Sequence, residues 1–310
     1  MLKVAFIGAG GRAQGAHYPN VHRLPDVSIE AVAELNPQRM QTVVQRYGIP
    51  RAYDDYNKML KDVDLDAVYV IMGENYVTRP ALDCISAGKH VFIEKPPGAN
   101  ADEAQQLLDA ALAQDVYCAV GYQRRYAAVT REAMRLAQEH GGATLAVGEF
   151  HKCLIGSGPT LWNDVTHVVD LVRYMMQSEV EEVCAFRQSH RAPWMNYHAI
   201  IRFAGAGIGI ITGNRSSGGR VLRAELHAVG LGCFLRLPEQ IEIHEQGKGS
   251  RTLSGAEAGG ADPRDVDAYE GVLAMHQHFA DCIRTREVPI SDIRDAVHTA
   301  RLVAQIQGDT

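Results

Sequence analysis

No CxxC pair occurs in this sequence: its six cysteines, Cys84, Cys118, Cys153, Cys184, Cys233 and Cys282, stand singly. That scatter excludes a zinc ribbon and a dense disulfide framework, and it suits a reducing, cytoplasmic setting. Long apolar runs are missing too, so no segment reaches membrane-spanning length. The opening MLKVAFIGAG has one lysine and a short apolar run leading into glycines, which reads as a first strand and not as a signal peptide. Basic clusters are absent apart from Arg124-Arg125, and the net charge is -6, so nothing electrostatic points to a nucleic-acid partner. A small-molecule partner is expected instead.

What is present is globular. A chain of 310 residues, 46% hydrophobic and without low-complexity tracts, fits two domains with separate cores. Up to about residue 123, short β-branched runs (KVAFIG, IEAVAEL, AVYVIM, HVFIEKP, VYCAVGY) alternate with helical periodicity near 13–23, 37–47, 78–87 and 101–114. Repeated βα units predict a doubly wound parallel sheet, a Rossmann domain over residues 1–123. From residue 124 to 310 the order changes to a helix near 127–140, a strand, a helix carrying His167, and many strand-like runs joined by short Gly turns. This predicts an α+β domain with a large, mostly antiparallel open sheet. Residues 247–268, rich in Gly, Ser, Asp and Ala, read as a long loop, and two amphipathic packing helices close the chain.

The first chemical signal is Gly8-Ala9-Gly10-Gly11-Arg12-Ala13, which fits G-x-G-x-x-G/A directly after a strand and at a helix start. Gly8 permits the tight turn, Gly10 lets backbone approach a pyrophosphate, and Ala13 permits close helix packing. The helix N-terminus then offers N–H groups to phosphate. Glu34 ends the second strand roughly 20 residues later, where an acid accepts hydrogen bonds from ribose hydroxyls and repels a 2′-phosphate. NAD is therefore the expected cofactor, with NADP open through nearby Arg39.

The second signal is Glu94-Lys95-Pro96-Pro97, where a strand runs straight into an acid, a lysine and two prolines. Carboxyl ends of strands in an open parallel sheet border the ligand crevice, which gives Lys95 a functional address. The third is WNDVTHVVD, residues 162–170, in which His167 has Asp164 three residues before it and Asp170 three after. Helical spacing allows either acid near the imidazole and does not choose between them.

Taken in order, GAGGRA, AGKHVFIEKP, GYQRRY and HVVD resemble the Gfo/Idh/MocA family of nicotinamide-dependent oxidoreductases, and the resemblance runs through nearly the whole chain. It implies a Rossmann domain paired with a C-terminal α/β domain whose open sheet mediates dimers or tetramers. It implies hydride exchange with sugars, inositols and related polyols. It places Lys95 on the reacting hydroxyl, Glu94 and Pro96 near the nicotinamide, Gly11, Arg12 and Ala13 in the cofactor loop, and Arg125 at the arginine after the last Rossmann strand. The family's usual helix has Asp four residues before the His; here that position is Asn163. After VYVIM the sequence reads GENYVTRP where many members have a Pro-rich loop with a histidine, and LIGSGPTL is a short connection.

An imidazole exchanges protons near neutral pH and an ammonium stabilises a developing alkoxide, so His167 and Lys95 suit the oxidation of a secondary alcohol. Asn163 can orient a hydroxyl or the ring but cannot act as a carboxylate. His151, Lys152, Arg191, Trp194, Asn196 and Arg215 are further candidates for lining a pocket, while His276-Gln277-His278 reads as packing or surface. Two other functions remain open: redox-neutral, NAD-dependent glycoside cleavage, and a dinucleotide-binding regulator without turnover.

Overall fold

The computed structural model describes residues 1–153, 161–191 and 194–308, leaving out the side chains at 190, 191 and 194. By internal contacts the chain forms two compact units, Met1–Gly121 joined by Val272–His298, and Tyr122–Gly271 joined by the residues from Thr299 onward.

In the first unit β1 (Leu2–Ile7), β2 (Val27–Ala33), β3 (Arg51–Tyr53), β4 (Ala67–Val70), β5 (His90–Ile93) and β6 (Cys118–Val120) form a parallel sheet in the order β3-β2-β1-β4-β5-β6. That is the doubly wound order, with a switch between β1 and β4. β4 and β5 are buried on both faces except at His90, as their unbroken apolar runs require. The helices are α1 (Tyr18–His22), preceded by a π-helical turn Ala13–His17, α2 (Pro37–Tyr47), α3 (Tyr56–Asp62), α4 (Glu74–Ser86) and α5 (Ala101–Ala113). Local chemistry sets their ends: Asn36 caps α2 through the Gln38 and Arg39 amides with Pro37 in the first turn, and Asn100 caps α5 through Glu103.

The second unit opens with α6 (Ala128–Glu139), β7 (Leu145–His151) and α7 (Thr166–Met176). It continues through β8 (Val180–Arg191), β9 (Trp194–Phe203), β10 (Ile208–Asn214), β11 (Val221–Ala228), β12 (Leu231–Arg236), β13 (Gln240–Glu245) and β14 (Gly249–Ser254). The eight strands run β14-β13-β12-β11-β7-β10-β9-β8, antiparallel except for the β7–β10 pair. A mixed, largely antiparallel sheet thus follows the parallel one.

Glycines let α7 lie close on this sheet. A Cβ on Gly148 would sit 2.8 Å from Val172 Cγ2, and one on Gly213 only 2.6 Å from Val165 Cγ2. On the opposite face, cross-strand partners align Cys184, Ile200, Ile210, Val147, Glu225 and Phe234 in one row, with Ile200 and Phe234 exposed.

The expected loop at 247–268 is instead β14 followed by α8 (Gly255–Gly259) and α9 (Val266–Glu270). Ser254 and Glu257 form a capping box, and GSRTLS pairs with β13, so the polar composition belongs to an exposed edge strand and a capped turn. After α9 come α10 (Val272–Thr285) and α11 (Ile293–Gln307). α10 packs on α1 within the first unit, and Phe279 stacks edge-on against Tyr69 and Phe92. Among the described residues no helix is long and apolar enough to cross a membrane.

Candidate active site

The carboxyl ends of β1, β2 and β5 carry the residues that the sequence singles out in the first unit. Gly8 follows β1 at φ +101, and a Cβ there would meet the Ile71 carbonyl oxygen at 2.5 Å, so both conformation and space demand glycine. A Cβ at Gly10 or Gly11 would meet nothing within 4 Å. The backbone at these two positions is therefore open to approach, which is what a pyrophosphate cradle needs. Glu34 reaches the same loop: Ala9 N–H donates to its Oε2 at 2.6 Å and Asn36 N–H to its Oε1 at 2.8 Å. A carboxylate has about four acceptor sites, so two backbone bonds leave capacity for ribose hydroxyls. Arg39, the residue that could admit a 2′-phosphate, is exposed on α2.

Glu94 is the hub of a buried polar chain. Arg12 Nε donates to Oε1 at 2.7 Å, His17 Nε2 lies 2.8 Å from the same oxygen, and Lys95 N–H donates to Oε2 at 3.1 Å. Beyond it, His17 Nδ1 is 3.1 Å from His276 Nε2. Burial pushes the His17 pKa down against the pull of Glu94, and pushes His276 well below the usual imidazole value. Burial alone would raise Glu94, but the His17 hydrogen bond and the Arg12 charge outweigh it and hold the carboxyl well below its usual range. An ionised Glu94 can only accept, so a neutral His17 donates from Nε2 and must accept at Nδ1 from His276 Nε2–H. The tautomers of both rings follow from that one carboxylate. Lys95 and Pro96 come immediately after this hub, so the turn carrying the lysine is fixed from beneath.

In the second unit the stretch WNDVTHVVD is a π-helical turn, Leu161–Val165, running into α7. From Leu161 to Asp170 only Asn163, Asp164 and His167 are half-exposed; their neighbours are buried. His167 faces the Phe150 ring at a centroid distance of 6.4 Å. Asp164 is held by two cations, Lys152 at 3.1 Å and Arg215, whose own backbone N–H donates to the buried Asn196 side chain at 2.8 Å. Asp170 points inward: Arg125 holds both its oxygens, with Nε–Oδ2 at 2.8 Å, and the Thr299 hydroxyl adds a third bond at 3.0 Å. Both acids that spacing left open beside His167 are therefore engaged by basic side chains.

Arg125, expected at the cofactor, is committed to Asp170 and lies over the Tyr122 and Tyr174 rings, 1% exposed. Its fork geometry matches a carboxylate as well as a phosphate, which is why sequence alone does not separate the two uses. Of the other pocket candidates, Lys152, Asn196 and Arg215 gather around Asp164, whereas His151 faces Glu149 at 3.9 Å. Arg191 and Trp194 have side chains outside the described residues, as does most of the short LIGSGPTL connection. The GENYVTRP segment is the first turns of α4, which starts at Glu74.

Residues 2–122 match the GFO/IDH/MocA model, an oxidoreductase family with an NAD-binding Rossmann fold. The N-terminal unit thus matches the Gfo/Idh/MocA oxidoreductase family. It is accordingly an NAD(P)-binding Rossmann domain. The chain is 27% identical over 198 residues to the myo-inositol 2-dehydrogenase of Thermotoga maritima, a match covering 59% of this chain and 58% of that protein. It is 24% identical over 319 residues to the scyllo-inositol 2-dehydrogenase (NAD(+)) of Bacillus subtilis, covering 95% and 90%. In its matches to the first curated relatives, the chain spans about half of their length. The crystal structure of a dehydrogenase from Chromobacterium violaceum superposes with TM-score 0.91 at 21% identity, covering 100% of this chain and 95% of that one, which is a likeness of fold.

Sequence reasoning missed His17 as the partner of Glu94 and His276 as the partner of His17. Two residues 259 positions apart leave no spacing signal, although a histidine four residues after Ala13 on a helix that must be buried was a visible oddity.

Proposed function

We propose that the protein is an NAD-dependent dehydrogenase that exchanges a hydride with a secondary alcohol of an inositol, sugar or related polyol. The observation that carries the cofactor half is the Glu34 carboxylate on the Ala9 amide: an acid at the glycine loop favours free ribose hydroxyls and disfavours a 2′-phosphate. The substrate class rests on the family match of residues 2–122 and on the inositol dehydrogenases among the relatives.

The dinucleotide, once bound, supplies the hydride acceptor or donor. The chain does the rest. Backbone N–H groups from Gly10 to Ala13, beyond the Gly8 and Ala9 amides that bond Ala33 and Glu34, would hold the pyrophosphate, and Glu34 would accept from the ribose. Lys95, set on the Glu94 turn, presents an ammonium that stabilises negative charge on the substrate oxygen. His167 takes the hydroxyl proton, since an imidazole titrates near neutrality, and Asn163 orients the hydroxyl by hydrogen bonding. Asp164 acts at one remove, by keeping Lys152 and Arg215 in place, and is a positioning residue. A homodimer or homotetramer built on the exposed face of the C-terminal sheet agrees with its apolar row through Ile200 and Phe234.

The test is a panel of inositols, sugars and keto-sugars with NAD(H) and with NADP(H). Reduction of NAD by a polyol, with NADP markedly poorer, is the expected result. Product formation without net NADH would replace this reading with redox-neutral glycoside cleavage. Dinucleotide binding without turnover on any substrate would replace it with a regulatory role.

A further inference from the structure

Three polar side chains run through the aromatic core of the first unit. His276 on α10 is fully buried, its ring centroid 5.4 Å from that of Tyr69 and 5.0 Å from that of Phe92. His17, also fully buried, lies 5.7 Å from the same Phe92 ring, and Glu94 is 7% exposed. A phenylalanine would fill the place of either imidazole in such surroundings. A buried hydrogen-bonded pair gains little or nothing over apolar groups of the same shape, so packing does not explain why this line of side chains is polar.

The order of the bonds does explain it. Glu94 accepts on both oxygens, Oε1 from Arg12 and His17 and Oε2 from the Lys95 N–H. A carboxylate accepts at both ends, whereas a glutamine would turn an NH2 toward one set of donors. A Cβ at Gly121 would lie 3.2 Å from Oε2, so glycine there leaves the carboxylate its seat. A neutral His17 donates to Oε1 from Nε2 only while its Nδ1 is an acceptor, and in a buried site that lone pair needs a donor. His276 Nε2, 3.1 Å away and 259 positions along the chain, is that donor. One line of bonds thus starts on α10, crosses the turn after the glycine loop and ends on the backbone of Lys95.

We propose that His17 and His276 are positioning residues for Lys95: His276 fixes the tautomer of His17, His17 fixes the Glu94 carboxylate, and the carboxylate fixes the backbone that carries the lysine. Both rings are fully buried, so they act through Glu94 and not on a substrate. Removing the His276 donor leaves the Nδ1 lone pair of His17 unsatisfied. The ring relieves this by moving its proton to Nδ1 and withdrawing it from Glu94, which then keeps Arg12 alone on Oε1, and the lysine turn loosens. Charge stabilisation requires the ammonium at the substrate oxygen, so a small displacement is costly. The kinetic consequence rests on the dehydrogenase reading; the link from His276 to Lys95 stands without it.

The test compares His276→Phe, which keeps a ring and removes the donor, with His276→Gln, which keeps an N–H donor toward His17. With a polyol that the wild type oxidises, His276→Phe is expected to lower kcat roughly ten-fold, with KM for the polyol and NADH affinity within a few-fold of wild type. His276→Gln is expected to recover most of the loss. Lys95 is also read without substrate, by competitive acetic anhydride labelling and mass spectrometry, with the exposed Lys58 as internal standard. The charges of Glu94 and Lys95 act on each other. A carboxylate that has lost a donor holds the neighbouring ammonium less firmly, so Lys95 should label about two-fold faster or more in His276→Phe and near the wild-type rate in His276→Gln. Nitrogen-15 spectra of the wild type should show both imidazoles neutral with the proton on Nε2, and a proton on His17 Nδ1 overturns the proposal whether or not the variants fold. Wild-type kcat and wild-type Lys95 labelling in His276→Phe overturn it, and so do equal losses in both variants, which make 276 a packing position. If the wild type oxidises no polyol, the dehydrogenase reading fails by itself and the labelling contrast decides between positioning and packing.

Discussion

His17 Nε2 lies 2.8 Å from Glu94 Oε1, and the other nitrogen of the same ring lies 3.1 Å from His276 Nε2. Both imidazoles are fully buried, and burial lowers both pKa values. The unfolded chain binds protons at these histidines below about pH 6.5 and the folded chain refuses them, so stability falls as pH drops through that value. Each proton contributes a slope of about 1.4 kcal/mol per pH unit. Glu94, whose folded pKa is depressed, adds a loss in the same direction only below its unfolded value of 4.5. Urea melts from about pH 7.5 down to about pH 5.5 should show the slope, and His276→Phe should reduce it by about one proton. An unchanged slope would mean that His276 is protonated in the folded protein.

The buried Arg125–Asp170 pair, each residue 1% exposed, should behave as a coupled unit. Asp170→Asn strands a buried guanidinium and is expected to cost about 3–5 kcal/mol, whereas Arg125→Met with Asp170→Leu should cost far less than the two single changes summed. A double-mutant cycle by urea denaturation measures this. Additive single effects would show that the pair is not energetically coupled.

Gly10 and Gly213 should separate function from packing. Gly213→Ala pushes a methyl into Val165, 2.6 Å from Cγ2, and is expected to cost about 1–3 kcal/mol while disturbing the start of α7 beneath His167. Gly10→Ala meets no protein atom within 4 Å, so the melting temperature should hold while NADH affinity drops. Thermal melts paired with NADH fluorescence titration read both effects.

These contrasts show which parts of the molecule the sequence made legible. The Rossmann order was readable because βα alternation and the glycine loop are local patterns, and the C-terminal sheet because its strands carry period-two burial. β3 and α3 escaped because three residues at an exposed edge and a seven-residue helix carry little periodicity. The return of α10 to the first unit also escaped, since an amphipathic stripe records that a helix is buried and not which core buries it. At the candidate site, residue types were readable and partners were not. Asp164 and Asp170 are symmetric about His167 in sequence, yet one turns to Lys152 and Arg215 and the other to Arg125, all of them contacts made by folding.

Asp164 therefore gives a discriminating pH experiment. If it only positions Lys152 and Arg215, Asp164→Asn should raise KM or lower stability while leaving the acidic limb of the kcat profile where it was. A shift of that limb toward lower pH would show that the carboxylate supports the His167 imidazolium directly.

The most direct measurement of the whole account compares wild type, Lys95→Ala and His167→Ala for NADH binding and for NAD reduction by a polyol that the wild type oxidises. The account predicts that both variants bind NADH within a few-fold of wild type and lose turnover by roughly 10²-fold or more, the usual scale for a lost proton carrier or charge stabiliser. Near-wild-type turnover in either variant would contradict it.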